Sequence, residues 1–486
     1  MSLGAIQAAQ AKSRDGVAVV DSAFPPEPDW LGDVNNPLRK VAFRLGLVVI
    51  FFRFSLFQGI LTSVADFNFY SLYIFGMPAL LGVALSGGVR RSFHGRLAWY
   101  WIGYVIWLTA ATPFSIWRGA SAHLVLTYLR SELPMLFLIG GLGMTWRECR
   151  SVLHTIALAA VVSAAAGPLF QREYGAGRSG LSFGAVGDPN DYSAHLVLVL
   201  AFLTWEVSSA KSKLTRLAAL AGLGFGLTMI LRSASRGGAV ALAVAFLFFL
   251  LRASARQRLA FVVLVPVAAA GFFVAVPKSA WDRIWNFATS DSQTILETSS
   301  AAESTRSRVY LFKKSIEYTR QFPFFGVGPG QFAEYEGKNN LIVGDHGLWH
   351  LTHNTFTEVS SECGIPAFVF FVAGIVSTFR LLNSVHREAR RRTDCNDIRN
   401  AAFCAMLGLV GFCVAISFLD FAYFFYLPAM GGLAILLSRS AGDEMRKRAG
   451  SVPGESAVLT AWGPTPEFRH TAASRPGWTA SRLTRK

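Results

Sequence analysis

Charged residues are scarce in this chain. Asp, Glu, Lys and Arg make up 16% of its 486 residues, against about 25% in soluble domains. That shortage excludes the ordinary soluble multidomain protein that such a length would otherwise suggest. Acidic residues are the scarcer sign, 30 against 46 Lys and Arg, which leaves a net charge of +16. Cysteine is also sparse. Cys149, Cys363, Cys395, Cys404 and Cys413 are odd in number and form no CxxC pair, which argues against a disulfide framework or a zinc site and for simple packing. The first 36 residues hold Pro25, Pro26, Pro28, Asp29 and Asp33 and no apolar core of the kind a secretory signal needs.

Apolar side chains are what the chain has in abundance. Hydrophobic residues reach 52% and gather into runs along its whole length. About 20 mostly apolar residues cross a hydrocarbon core of about 30 Å. Backbone groups inside that core must pair within their own segment, so such runs are helices. The runs lie near 43–62, 70–87, 97–114, 123–144, 151–169 and 192–208, then near 217–232, 237–251, 259–276, 360–380, 400–417 and 422–438. They predict an all-α polytopic membrane protein with about twelve transmembrane helices. One large extracytoplasmic loop, 277–359, falls between the ninth and the tenth. Residues 41–438 form the membrane domain. Residues 1–40 and 439–486 read as disordered tails, the second rich in proline and Arg and suited to lie on an anionic leaflet.

Lys and Arg in the short loops set the orientation. Arg90, Arg91, Arg96, Arg147, Arg150, Lys211, Lys213, Arg216, Arg252, Arg256, Arg258 and the run Arg390, Arg391, Arg392 share one side. The other side's short loops hold only Arg118, Arg172, Arg178 and Arg236. The first side, with both termini, is predicted to be cytoplasmic. Basic residues scattered over membrane loops do not suit nucleic-acid binding.

The candidate chemistry lies on the opposite side. Residues 305–320 form an amphipathic pattern with Val309, Phe312 and Ile316 on one face. The segment Phe322-Pro323-Phe324-Phe325-Gly326-Val327-Gly328-Pro329-Gly330-Gln331-Phe332 follows. Its glycines permit sharp turns and close backbone approach. The segment fits either a loop packed on the membrane surface or a substrate lining, and its spacing is wrong for a dinucleotide fold. His346, His350 and His353 come next, without a recognisable carboxylate ligand pattern beyond Asp345; no metal or cofactor is expected. His353 and Asn354 open the next membrane helix. Glu358 and Glu362 share a face of it, either paired with loop arginines or facing a cavity. A glycine-rich loop runs from Arg178 to Asp188-Pro189-Asn190. Arg232 and Arg236 flank Ser233-Ala234-Ser235 and would project together if a helix continued to Gly237 and Gly238. Two guanidinium forks there could bind a diphosphate, or could snorkel to the interface. Arg130, within the fourth helix, is a further candidate for the same cavity. A lipid tail among helices, a diphosphate on arginines and a sugar among Trp349, Tyr310 and Phe332 would suit this face.

At these residues, over roughly 100–435, the chain resembles the O-antigen ligase and polymerase superfamily of bacterial membrane glycosyltransferases. Ser235-Arg236-Gly237-Gly238 resembles the family's SRG turn, and Arg178 to Asn190 its glycine-rich loop ending in D-P-N. Arg308 and Phe312 leading into Pro323 to Gly330 resemble its R…W…PLxGxGxG pattern, with Phe where Trp is usual. His353-Asn354, nine residues, then Gly364-Ile365-Pro366-Ala367 resembles the ligase signature H-[NSQ]-x9-G-x-x-G, with Ala367 in place of the last glycine. The resemblance implies glycan transfer from a polyprenyl-diphosphate-linked oligosaccharide to an acceptor glycan or lipid, outside the cytoplasm, with no cofactor or metal.

Diphosphate is a good leaving group, and arginines would stabilise the charge that develops on it. A base near the acceptor hydroxyl helps, and a neutral imidazole can serve. The expected roles are His353 as base and Arg236 on the diphosphate. Arg178, Arg232 and Arg308 support the same group, and Glu362 and Asn354 complete the binding set, with Glu362 orienting the histidine or an arginine. Polysaccharide-assembly proteins are possible partners. A lipid-linked-glycan transporter is the rival class, but no repeated halves are visible.

Overall fold

The computed structural model describes residues 34–66, 70–170, 172–174, 178–181, 186–252, 295–343 and 349–450. The expected span at 259–276, residues 277–294, His346, residues 1–33 and residues 451–486 lie outside them; residues 37–40 and 439–450, expected in the tails, are helical. The described chain is helical apart from one small hairpin. The helices are α1 Pro37–Phe54, α2 Phe57–Ala65, α3 Leu72–Leu85, α4 Gly88–Ser92, α5 Leu97–Ala111, α6 Arg118–Leu142, α7 Trp146–Phe170, α8 Pro189–Ser209, α9 Lys213–Arg232, α10 Arg236–Arg252, α11 Ile295–Gln321, α12 Phe332–Val343, α13 Thr355–Arg390, α14 Asn396–Ile416 and α15 Tyr426–Gly450. The hairpin pairs β1 Arg172–Tyr174 antiparallel with β2 Arg178–Gly180.

Among the described residues, α6, α7, α8, α9, α13 and the helix running Thr393–Ile416 are each long and apolar enough to cross a membrane. The chain is thus a multi-pass all-α membrane protein. Several expected spans take another form. The first, placed at 43–62, breaks at Ser55 and Leu56, where Leu56 has φ +58, and α2 leaves α1 at 68°. α5 and α10 are short, and α15 carries Arg439, Asp443 and Glu444 within its length.

α8 sits at the centre, with α7, α9, α10 and α14 packed on it. α13 packs on α5, α11, α14 and α15. Small residues allow the close approaches. A Cβ on Gly226 would strike Leu200, and one on Gly411 would strike Val197.

The two ends of the bundle differ. The basic turns meet at one end, where three buried arginines close the carbonyl end of α6. Arg39 donates to Leu142 O (2.8 Å) and pairs with Glu148 (2.9 Å), Arg91 donates to Gly141 O (2.7 Å), and Arg439 donates to Gly143 O (2.5 Å). Cations at a helix C-terminus complement its dipole and its unpaired carbonyls. Arg448 pairs there with Asp397 at 2.9 Å. The other end gathers the hairpin, the α9–α10 turn, the glycine-rich loop before α12, the start of α13 and the α14–α15 turn.

α11 buries a different face from the one expected. Leu311 and Tyr318 are in the core with Val327 and Phe332, whereas Val309 and Phe312 are exposed. The reason is the buried Glu336 of α12, which accepts hydrogen bonds from Tyr310 and Tyr318 and rotates α11 to bring both phenols inward.

Candidate active site

His353 lies one residue before the cap of α13, with φ +51. A left-handed histidine is uncommon and must be held by its surroundings. Asp420 does the holding. Its Oδ1 accepts from His353 N (2.8 Å) and from Thr352 Oγ1 (2.8 Å), and its Oδ2 lies 3.2 Å from His353 Nδ1. The imidazole is one-third exposed and the carboxylate nearly buried. A neutral imidazole in this position would place its proton on Nδ1, toward the carboxylate, and leave Nε2 with its lone pair. Asp420 was not foreseen in the sequence. The signal was present: it is the lone charged residue between Arg399 and Arg439, and an ionisable side chain in so apolar a stretch marks a site.

The start of α13 is laced to the Ser417–Tyr423 turn. Asn354 caps the helix, its Oδ1 accepting from Phe356 N (3.0 Å) and Thr357 N (3.1 Å), while its Nδ2 donates to Ser417 O (2.9 Å). Both ends of the amide are therefore engaged with backbone. Thr355 Oγ1 donates to Leu419 O (2.7 Å) and accepts from Phe421 N (2.9 Å).

Glu362 turns to the glycine-rich loop, which corrects the expectation that it orients the histidine or an arginine. Its carboxylate accepts from Gly330 N (2.8 Å), Phe332 N (3.0 Å) and Tyr423 Oη (2.5 Å). Glu358 accepts from Ala422 N at 3.2 Å. The loop threads a break in α13 at Gly364, where φ is +81. Val327 N donates to Ser361 O, Gly328 N to Glu362 O (2.8 Å) and Ile365 N to Pro323 O (2.7 Å). Gly326, Gly328 and Gly364 have positive φ, and a Cβ on any of them would collide with the opposing chain. Phe325 stacks on Phe114 (4.1 Å) and Trp107 (5.5 Å). The loop is thus a structural clasp; its Phe332 is core and not open to a sugar, while Tyr310 is half-buried and donates to Glu336. Trp349 stays 46% exposed and packs against Gly337.

The arginines approach from the other elements. α9 ends at Arg232 and α10 begins at Arg236, with Ala234 at φ +47 between them. The helix does not continue, so the four-residue spacing does not place the two guanidiniums on one face. Ser235 instead caps α10 through its Oγ, which accepts from Gly238 N (3.1 Å). Gly238 lies against Ser193 of α8 and Gly237 against Phe418, which sets Arg236 beside the Asp420 turn. A cation on the first turn opposes the helix dipole. Arg308, on α11, is half-buried. Burial lowers its pKa below the usual arginine range; Asp188 and Asp420 act to raise it, and Arg236 lowers it further. Arg236, Arg308, Asp188 and Asp420 therefore share one electrostatic neighbourhood. Asp188 is the N-cap of α8, accepting from Asn190 N (2.6 Å) and Asp191 N (3.0 Å), with Pro189 in the first turn; D-P-N is a capping motif here. Arg178 begins β2, whose Gly180 packs on Pro189.

Residues 221–372 match the family model described as O-antigen ligase. Over that segment the match supports the O-antigen ligase and polymerase superfamily. The matched segment contains Arg232, Arg236, Arg308, Glu362, His353 and Asn354; Arg178 and Asp420 lie outside it. No curated protein matches the chain. The family supports a role in glycan transfer within polysaccharide or lipopolysaccharide assembly.

Proposed function

We propose that this protein transfers a glycan from a polyprenyl-diphosphate carrier to an acceptor hydroxyl on the extracytoplasmic face of a bacterial cytoplasmic membrane, with both termini in the cytoplasm. The observation that carries the proposal is the His353–Asp420 pair standing beside Arg236 and Arg308 at the end of the bundle away from the basic turns. His353 Nε2 takes the proton of the acceptor hydroxyl, and Asp420 stabilises the imidazolium that forms. The acceptor oxygen bonds to the anomeric carbon as its bond to the diphosphate breaks. The electron pair leaves with the diphosphate, whose growing charge rests on Arg236 and Arg308, with Arg178 and Arg232 in support. Asn354 and Glu362 position the helix start and the loop. The residues require no metal or nucleotide in this scheme.

The reaction is read as polymerisation of repeat units of an exported polysaccharide. Ligation of a finished glycan to a lipopolysaccharide core is the second reading, favoured by the description of the matched family and by the near-complete His353-Asn354…Gly364 signature. Deleting the gene and sizing the carrier-linked glycan separates them. Single repeats should accumulate on the carrier. Long chains that remain on the carrier, with only their attachment lost, would establish ligation instead.

A further inference from the structure

Three backbone irregularities meet on one flank of the bundle. The α1–α2 elbow lies at Ser55–Leu56, α3 opens with a π turn at Leu72–Gly76, and α6 contains a π turn at Tyr128–Glu132. Their contacts join them. Ser71 at the start of the α3 turn donates to Gln58 of α2 (2.6 Å), and Arg53 donates to Ser131 O (3.3 Å) and pairs with Glu132. π turns recur at functional sites, and non-helical backbone at membrane depth is tolerated where it lines protein or a cavity.

The same flank holds charge. Arg53 lies over the Phe425 ring at 4.3 Å, and its side chain and that of Glu132 remain 22% and 13% exposed. Arg130 is exposed, and among the described residues its side chain meets the Tyr73 ring at 5.9 Å rather than a carboxylate. Arg130 is twelve residues from each end of α6, Arg118 and Leu142, which is about 18 Å of helix either way. Its neighbours Leu126, Leu129, Tyr73, Ile74 and Met77 are exposed apolar side chains, as expected of a lipid-facing surface. A guanidinium at that depth is costly without an anion.

We propose that Arg130, backed by the Arg53–Glu132 pair, is a lateral binding site for the phosphate head of a membrane lipid, entered from the bilayer beside the α1–α2 elbow. The planar fork of Arg130 would hold the phosphate, Tyr73 would shelter it, and the lipid tail would run along the apolar surface. The site rests on the glycan-transfer reading only for the identity of that lipid as the carrier, in which case the carrier docks here before its diphosphate reaches Arg236 and Arg308.

The test uses full-length protein in detergent carrying Arg236→Ala, so that the main diphosphate site contributes less. Binding of farnesyl diphosphate and of phosphatidylglycerol is measured with and without Arg130→Gln. Arg130→Gln changes an exposed position and spares the fold. Arg53→Gln with Glu132→Gln removes the supporting pair without stranding a charge. Each change should weaken binding of at least one probe about tenfold, the loss of a charge-assisted hydrogen bond. Loss confined to farnesyl diphosphate assigns the site to the carrier, and equal loss for both assigns it to phospholipid phosphate in general. Unchanged binding of both probes overturns the proposal, leaving Arg130 as an arginine that reaches to the interface. If His353→Ala retains glycan transfer while Arg130→Gln loses probe binding, the site stands and the transfer mechanism falls.

Discussion

Replacing Asp420 by Asn isolates the charge on which the His353 assignment depends. The substitution keeps an acceptor for His353 N and Thr352 Oγ1, both 2.8 Å away, so the turn and the cap of α13 should survive. What it removes is the carboxylate 3.2 Å from His353 Nδ1. Asparagine can present either its carbonyl or its amide there, so neither the Nδ1–H tautomer nor the imidazolium is stabilised as before. A hydrogen bond to a charged group contributes about 1.5–3 kcal/mol, which is roughly a 10- to 150-fold loss in transfer rate at 1.36 kcal/mol per tenfold. His353→Ala should lose about 10²- to 10⁴-fold, the usual range of general base catalysis. If Asp420 acts through His353, the double variant should be no slower than His353→Ala alone. The assay is release of glycan from a polyprenyl-diphosphate donor by membranes holding equal amounts of each protein. Full activity of Asp420→Asn, or a double variant slower by the product of the two single losses, would show that Asp420 does not act through His353.

Other expectations follow from the same geometry. Arg236→Lys should lose most activity at normal abundance, because an ammonium cannot present the bidentate fork; quantifying transfer against protein level in membranes checks it. Gly328→Ala should destabilise the protein by about 1–3 kcal/mol, since φ is +116 and the new methyl meets Ser115 Oγ; the melting temperature in detergent should fall, and an unchanged value would show the clasp to be loose. Glu362→Gln should lower the melting temperature and the transfer rate together, because an amide accepts the two loop N–H groups and the Tyr423 hydroxyl more weakly than a carboxylate. A reporter active only outside the cytoplasm should work when fused near residue 340 and fail near residue 390; the opposite pattern would invert the topology.

Much of the architecture was legible because membrane helices announce themselves by long apolar runs, and most of the expected spans fall on helices whose ends differ by several residues. What was not legible depends on backbone geometry. The elbow at Leu56 and the break at Gly364 lie inside apolar runs that read as continuous. The pairing of Arg232 with Arg236 failed because Ser235 prefers to cap a new helix over extending the old one. Arg236, Arg308 and His353 stand out in the sequence by motif, and Arg236 and Arg308 share an electrostatic neighbourhood with the Asp420 that contacts His353. Their structural partners were less legible: Asn354 and Glu362 look like ligands in sequence and prove to hold backbone, and Asp420 sits 67 residues from the histidine it orients. Hydrogen bonds of that separation leave no local pattern.

In the proposed reaction His353 and Arg236 carry a transfer that releases glycan from a diphosphate carrier. The most direct measurement is transfer by purified protein in proteoliposomes, supplied with polyprenyl-diphosphate-linked oligosaccharide and acceptor in the presence of EDTA. Glycan should be joined to acceptor with free carrier diphosphate as the second product, and both His353→Ala and Arg236→Ala should abolish it. Undiminished transfer by His353→Ala, or transfer that stops on chelation and returns with Mg²⁺, would contradict the proposed reaction.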